Sequence, residues 1–120
     1  MESYRRLLVW QKAMDLAEGI YRLAGSFPQH ELYGLTSQIR RAAVSIPSNI
    51  AEGRERGSDK DFMRFLGIAL GSLAELETQL LLSQRLGYVA EADLQSLVPL
   101  ADEVGKMLRG LKRSLEQPGV

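Results

Sequence analysis

The chain has 120 residues, carries 15 lysines and arginines against 15 aspartates and glutamates, and contains no cysteine. This length suffices for one domain with its own core, and a formal net charge of zero excludes nucleic-acid binding through a mere overall surplus of cations. The absence of cysteine excludes disulfides, thiolate metal sites and cysteine nucleophiles.

The chain begins with MESYRRLLVWQKAMD. Its apolar run is too short and too interrupted by charge for a signal peptide. We also expect no membrane span, because no segment comes close to the ~20 consecutive apolar residues that a span needs. The sequence therefore predicts a cytoplasmic protein with no membrane partner.

The first predicted helix covers residues 5–26. Its apolar residues recur at steps of three and four, which places them on one stripe of a helix. This stripe consists of Val9, Ala13, Leu16, Ile20, Leu23 and Phe27. A second stripe lies beside it and consists of Trp10, Met14, Ala17, Tyr21 and Ala24. Either the second stripe is a surface for a partner, or the core of a lone bundle uses both stripes.

The second predicted helix, over residues 32–56, contains Pro47 in the stretch SQIRRAAVSIPSNIAEG. An internal proline costs ~3 kcal/mol, because it removes one hydrogen bond and clashes with the carbonyl four residues earlier. That carbonyl belongs to Ala43. The apolar pattern nevertheless runs through the proline, since Ile50 continues the stripe begun by Ile39. This predicts one bent helix; the alternative is a helix break with a loop at SIPSN.

The third helix is predicted over residues 59–86, with Ser58 as its N-cap and Gly87 as its C-terminal stop. The fourth is predicted over 91–115. Pro99 marks either a kink in this helix or a later start near Val98.

We therefore expect residues 1–120 to form one domain of the all-α class. The loops are short and no alternating strand pattern occurs, so consecutive helices should pack antiparallel. The predicted architecture is an antiparallel, up-down-up-down four-helix bundle. The surplus apolar surface of the first helix predicts that bundles assemble as a homo-oligomer.

The sequence predicts no catalytic residue, no cofactor and no metal site. His30, the single histidine, lies in a predicted turn, where a solvated side chain explains it best. Glu75 and Gln79 share one face of the third helix. Bundles that bind two metal ions pair Glu with Glu-x-x-His, and here no histidine follows, so a structural contact with Arg40 or Arg41 explains them better.

Two clusters of basic residues are candidates for nucleic-acid binding. One surrounds the turn between helices two and three and consists of Arg54, Arg56, Lys60 and Arg64. The other lies on helix four and consists of Lys106, Arg109, Lys112 and Arg113. In a ring, symmetry would repeat each cluster, so weak contacts to RNA or DNA phosphates would add through avidity. The alternative is a scaffold that binds other proteins and has no affinity for nucleic acid.

Polar residues also form a line along helix two, and we expect them to build a hydrogen-bonded network between subunits. The candidates are Gln38, Arg40, Arg41, Asn49 and Glu52.

Three long stretches carry a family resemblance: VWQKAMDLAEGIY, FPQHELYGLTSQIRRAAVSIPSNIAEG and DFMRFLGIALGSLAELETQLLLSQRLGY. They resemble the 23S rRNA-intervening sequence proteins of bacteria, also called the S23 ribosomal protein family. The resemblance covers nearly the whole chain and implies a closed, pentameric ring of bundles. It also implies a relation to the accessory variability proteins of diversity-generating retroelements, which bind nucleic acid and a reverse transcriptase. RNA or DNA and a reverse transcriptase are therefore candidate partners by resemblance.

Overall fold

The computed structural model describes residues 3–116, and four α-helices make up most of it. They are α1 (Leu8–Ala24), α2 (Leu35–Glu55), α3 (Asp59–Arg85) and α4 (Glu91–Glu116). Short 3-10 helices at Tyr4–Arg6 and Gln29–Glu31 precede α1 and α2. No strand occurs between residues 3 and 116, so the all-α prediction with four helices is confirmed.

The helices stand at the corners of a square. In the described chain, α1 lies next to α2 and α4, and α3 lies next to the same two helices, whereas the backbones of the diagonal pairs are farther apart. Ser45 lies opposite Ser72, and Gly53 lies opposite Phe65, so α2 and α3 run antiparallel. The molecule is elongated along the helices, with extents of 52 × 24 × 20 Å.

The apolar stripes of the four helices meet in one core. Its largest fully buried aliphatic side chains are Leu16, Ile20, Ile39, Ile46, Ile50, Leu66, Leu76, Val104 and Leu108. The second stripe of α1 is divided: Ala17 and Ala24 are buried, whereas Met14 and Tyr21 are 45% and 44% exposed. The core therefore buries the small residues of that stripe, and the half-buried Trp10 packs against it. Met14 and Tyr21 remain exposed because a square bundle covers a limited arc of each helix.

Both internal prolines lie within continuous helices. Helix α2 runs through the buried Pro47, so the single-helix prediction is confirmed and the alternative of a loop is wrong. Asn49 Nδ2 donates to the Ser45 carbonyl at 2.7 Å and lies 2.9 Å from Ser45 Oγ, which adds side-chain bonds beside the proline. Helix α4 begins at Glu91 and includes Pro99, so the later start near Val98 is also wrong.

Two helices begin about one turn later than the sequence pattern predicts. The expected start at residue 5 fails because Leu7 is extended (φ −69°, ψ 123°) and separates the first 3-10 helix from α1. Gln11 Nε2 donates to the Arg5 carbonyl at 2.9 Å and holds this folded-back segment. Helix α2 begins at Leu35 instead of residue 32. The N–H of Leu35, its first residue, donates to Glu31 Oε1 at 3.1 Å.

The predicted ends of α3 are confirmed. Ser58 Oγ accepts a hydrogen bond from the Asp61 N–H at 3.1 Å, as an N-cap does. After α3, Gly87 adopts a φ of +76°, and the Tyr88 N–H donates to the Ser83 carbonyl at 2.9 Å. This left-handed glycine and backward bond form the motif that commonly ends helices.

Helix α3 corrects the expectation that no segment approaches the length of a membrane span. Asp59–Arg85 is long and apolar enough to cross a membrane, with a mean hydropathy of 1.4 over an 18-residue window of which 39% is buried. A core helix of a bundle meets the same criteria of length and composition. The small buried share shows that α3 presents apolar surface beyond the face that packs in the core.

A hydrogen-bonded cluster closes the end of the bundle where the loops before α2 and α4 meet. Tyr88 donates to Glu31 Oε2 at 2.7 Å, and His30 Nε2 lies 3.4 Å from the same hydroxyl. The bond from Tyr88, followed by the backbone bond from Leu35, lowers the pKa of Glu31 below its ordinary value of 4.5. The same bond to Glu31 raises the pKa of Tyr88 above its ordinary value of 10.0.

This cluster should make stability depend on acid pH. A lowered carboxyl pKa means that the folded state favours the carboxylate, so its contribution is complete above pH 4.5 and is lost as pH falls through the lower folded value. We expect Glu31→Gln to remove this loss in urea unfolding measured from neutral to acid pH. Tyr88→Phe keeps the ring beside Phe27 but deletes the hydroxyl, and should weaken the pH dependence similarly. An unchanged acid profile in both variants would contradict the assignment.

Candidate nucleic-acid interface

One end of the bundle collects basic side chains from α2, α3 and α4, from the turn after α2 and from the segment that precedes α1. Because neighbouring helices are antiparallel, the start of α1, the end of α2, the start of α3 and the end of α4 share this end. We call it the basic end, and its nine cationic residues are Arg5, Arg6, Arg54, Arg56, Lys60, Arg64, Arg109, Lys112 and Arg113. Five described carboxylates lie there: Glu52, Glu55, Asp59, Asp61 and Glu116. Cations therefore outnumber carboxylates at this end, although the whole chain is neutral.

Two buried phenylalanines position the arginines of the turn between α2 and α3. The Arg54 guanidinium carbon lies 5.6 Å from the centre of the Phe62 ring. The guanidinium carbons of Arg56 and Arg64 lie 5.2 Å and 5.1 Å from the centre of the Phe65 ring. These distances are within the range of cation–π contacts. The rings are only 3% and 6% exposed, so bases cannot stack on them. The cluster therefore offers guanidinium donors, which suit phosphate oxygens.

Carboxylates reduce the charge of part of this turn. Arg56 Nη2 forms an ion pair with Glu52 Oε1 at 3.1 Å. Lys60 is exposed in the first turn of α3, between Asp59 and Asp61. Arg56 and Lys60 are therefore weaker anion ligands than Arg64.

The cluster on α4 continues onto α3. A Cβ added at Gly67 would lie 3.8 Å from Lys112 Cε, so the lysine stem rests on α3 one turn from Arg64. Lys112 Nζ also pairs with Glu116 at 3.1 Å. The structure thus joins into one surface the two clusters that were predicted as separate.

The remaining cations of α4 occupy different heights along the bundle. Arg109 folds its guanidinium over Gly105, with Nη1 3.3 Å from the position of an added Cβ. Arg113 is exposed in the last turn. Lys106 is also exposed but lies ten residues before the helix end, which is ~15 Å along the axis. Of the described cations in α4, Lys106 is the one whose backbone lies farthest from this end, so we do not count it among the nine.

Arg5 and Arg6 belong to this surface but were not predicted as members of it. Both are exposed, and the 3-10 helix that carries them contacts α1 and α2. Arg5 lies 5.7 Å from the ring centre of Tyr4, whose ring packs edge-on against Trp10 at 5.3 Å. The adjacent arginines of YRR were a visible signal, but their place beside the end of α2 depends on the fold.

Most of the polar line on α2 borders α3. A cleft of about 410 Å³ lies between the two helices and is lined by Gln38, Arg41, Ala42, Ser45 and Glu75. Ser45 Oγ, which lies near Asn49 Nδ2, is also 2.8 Å from Ser72 Oγ of α3. The hydrogen bonds of Asn49 therefore lie within one chain. A network between subunits stays a prediction for the exposed Gln38 and Arg41.

Arg40 lies apart from the rest of that line. Its Nη2 donates to the Tyr21 carbonyl near the end of α1 at 3.0 Å, and its guanidinium carbon is 5.0 Å from the Tyr21 ring centre. Arg40 and Arg41 point to different neighbours because consecutive helical residues are ~100° apart. Arg40 therefore ties α2 to α1.

The described side chains do not assemble an evident catalytic or metal centre. Between residues 3 and 116, no group of three or more His, Cys, Asp or Glu residues is placed to hold a metal ion. Glu75 is exposed whereas Gln79 is 7% exposed, so the two do not share one environment. The His30 side chain is 73% exposed beside Tyr88.

The fold and this surface define an all-α four-helix bundle protein with a basic end. The model of the 23S rRNA-intervening sequence protein family matches residues 5–110, and the chain belongs to this family. It is also similar to a solved structure from Bacteroides thetaiotaomicron VPI-5482, a protein with unknown function from the S23 ribosomal protein family. The two share 28% identity with a TM-score of 0.81, over 88% of this chain and 96% of the other. No curated protein matches the chain.

Proposed function

We propose that this protein is a non-enzymatic assembly protein that forms a closed homo-oligomeric ring, a pentamer, and binds RNA or DNA at its basic ends. The observation that carries the proposal is the collection of nine cations at one end of a neutral chain, drawn from the segment before α1, from α2 and the turn after it, and from α3 and α4. A local excess of this kind attracts phosphates even where the whole molecule has no net charge.

Ring assembly would strengthen this attraction. Rotational symmetry gives every subunit the same orientation. If the bundles stand along the ring axis, their basic ends form one continuous face. Each end alone would bind phosphates weakly, but several ends on one nucleic acid bind with a high effective concentration. The exposed Met14 and Tyr21 of α1, and Gln38 and Arg41 of α2, are the surfaces that we propose for subunit contacts.

The geometry favours contacts to phosphates over contacts to bases. Phe62 and Phe65 are covered by arginines and by the core, so they are not available as stacking platforms. Binding should therefore depend strongly on salt and weakly on base sequence, because phosphate contacts release condensed counterions and carry no sequence information.

The test is the anisotropy of labelled RNA and duplex DNA, titrated with protein between about 50 and 200 mM salt. We expect affinity to fall steeply as salt rises. The triple variant Arg64→Gln, Arg109→Gln, Arg113→Gln should bind more weakly, and its salt slope on duplex DNA should become shallower by about 0.9 for each phosphate that it no longer neutralises. The double variant Arg22→Gln, Arg85→Gln, at the opposite end, is the control and should retain the wild-type slope.

A single alternative has support in the structure. Exposed apolar side chains on α3 and α4 favour a scaffold that binds other proteins. Absence of nucleic-acid binding at the lowest salt would favour this scaffold over the nucleic-acid proposal. Equal reductions of affinity in the triple variant and in its control would also contradict the role of the basic end.

A further inference from the structure

An apolar groove lies between the C-terminal half of α3 and the N-terminal half of α4, away from the basic end. Its floor is formed by Leu80 and Leu94, which are 3% and 7% exposed. Its walls are Leu81 and Val98, which are 60% and 41% exposed, and the buried Ala101 adds to the floor. Leucine and valine side chains exposed on facing helices leave apolar surface that the bundle itself does not cover.

The groove has room for large side chains. One cleft of about 180 Å³ is lined by Glu77, Leu80, Leu81, Leu94, Val98 and Ala101. A second, of about 320 Å³, shares Leu94 and Val98 with the first and extends to Gln84, Glu91, Gln95 and Pro99. An enclosed apolar cavity of ~150 Å³ holds a benzene-sized group, so the first cleft suits a leucine or phenylalanine side chain. The two clefts together form a track along the helices.

The charged residues that line this groove have one sign. They are Glu77 and Glu91, and neither forms an ion pair with a described residue. Pro99 has no N–H, so the Gln95 carbonyl lacks the helical donor that it would otherwise have. The apolar floor suits an occupant with apolar side chains. The two carboxylates and the Gln95 carbonyl suit cationic side chains that donate hydrogen bonds. Nucleic acid is disfavoured, because the carboxylates repel phosphates.

We propose that this groove binds a cationic amphipathic peptide segment of a partner protein. An apolar side chain enters the cleft between Leu81 and Val98, and lysine or arginine side chains pair with Glu77 and Glu91. A helix that lays one apolar face into a groove is a common mode of peptide recognition, with anchors at i, i+4 and i+7. The site is separate from the basic end, so it does not depend on nucleic-acid binding.

The probe is a labelled synthetic helical peptide with leucines at i, i+4 and i+7 and lysines beside them. A matched peptide carries glutamates in place of the lysines. Titrated with the full chain, the lysine peptide should bind about tenfold or more tightly than the glutamate peptide. Equal binding of the two peptides, or no binding of the lysine peptide, would overturn the proposal.

Two double variants separate the apolar from the charged contribution. Leu81→Ser with Val98→Ser should weaken binding of the lysine peptide by about tenfold or more. Glu77→Gln with Glu91→Gln leaves the packing intact and should remove the preference for lysine over glutamate, which keeps the test valid if the first variant folds poorly. Leu8→Ser changes a residue that is 55% exposed at the start of α1, and should leave binding unchanged.

Sedimentation of the same variants distinguishes a partner from a second copy of this chain. An unchanged sedimentation coefficient for Leu81→Ser with Val98→Ser supports a groove that is open in the assembly. A reduced assembly state in that variant would show instead that the groove is a contact between copies, and would overturn the proposal. The proposal would also be overturned if Leu8→Ser lost as much peptide binding as the Leu81→Ser, Val98→Ser variant.

Discussion

Replacing Gly53 by alanine should lower the free energy of unfolding by about 1–2 kcal/mol. A Cβ at this position would lie 2.5 Å from Phe65 Cβ and 3.2 Å from Phe62 Cδ1. Phe65 Cβ is fixed to the backbone of α3, so the two helices would have to separate. Overpacking of this kind costs ~1–3 kcal/mol, and we expect the upper end, because no rotamer change removes the overlap. Alanine gains ~1 kcal/mol of helix propensity, which offsets only part of this cost.

Gly71→Ala is the matched control and should have the opposite sign. Gly71 is also inside a helix, but an added Cβ there meets nothing within 4 Å. We therefore expect a gain of ~0.5–1 kcal/mol from helix propensity alone. Chemical unfolding of both variants, at several protein concentrations to account for assembly, measures the difference. Stabilisation by both substitutions would show that α2 and α3 are not in close contact at Gly53.

Replacing Gln79 by methionine should raise the free energy of unfolding by about 1–3 kcal/mol, because it removes a buried acceptor that has no partner. Gln79 is 7% exposed, and its Oε1 is buried without a hydrogen bond in the described structure. Its main-chain carbonyl accepts from Ser83 Oγ at 2.7 Å, a bond that the substitution keeps. Methionine has a similar length and a flexible, apolar side chain, so it can fill the same space.

Two further substitutions at glutamine positions test the physical reason for this gain. Gln79→Glu keeps the size but places a carboxylate in the buried position, and should lower stability at neutral pH. Gln84→Met makes the same chemical change at an exposed position of the same helix, and should alter stability by less than about 0.5 kcal/mol. Equal unfolding midpoints for wild type and Gln79→Met would indicate that Oε1 is satisfied by water.

Local patterns predicted the helices well. The three-and-four spacing continued through Pro47 from Ile39 to Ile50, and α2 is indeed continuous. Ser58 and Gly87 also act as predicted, because a helix cap depends on hydrogen bonds and φ angles within a few residues. Helix starts were less predictable: Leu7 has no capping side chain, and the first turn of α2 is bonded by Glu31.

The candidate site was only partly predictable. Arg64 and Lys112 were identified separately, but nothing local to either residue shows that Lys112 rests on Gly67, one turn from Arg64. Arg40 and Arg41 were predicted to belong to one polar line along helix two, yet Arg40 contacts α1 and Arg41 lines a cleft with α3. These differences arise from which helix lies beside each face, and periodicity alone does not specify that.

The order of the amino acids was enough to establish that this chain is helical, where most of its helices end and to which family it belongs. The spacing of apolar residues, helix capping and loop length depend on a few neighbouring residues. The family resemblance depends on long stretches of sequence, which need no structure to be recognised. Three features emerged only when the helices were packed together. Cations from α2, α3, α4 and the segment before α1 share one end, the absence of a side chain at Gly53 lets Phe65 pack against α2, and an apolar groove with two glutamates at its edge remains between α3 and α4. Those features depend on the register between helices, which is set by the packing of side chains far apart in the chain.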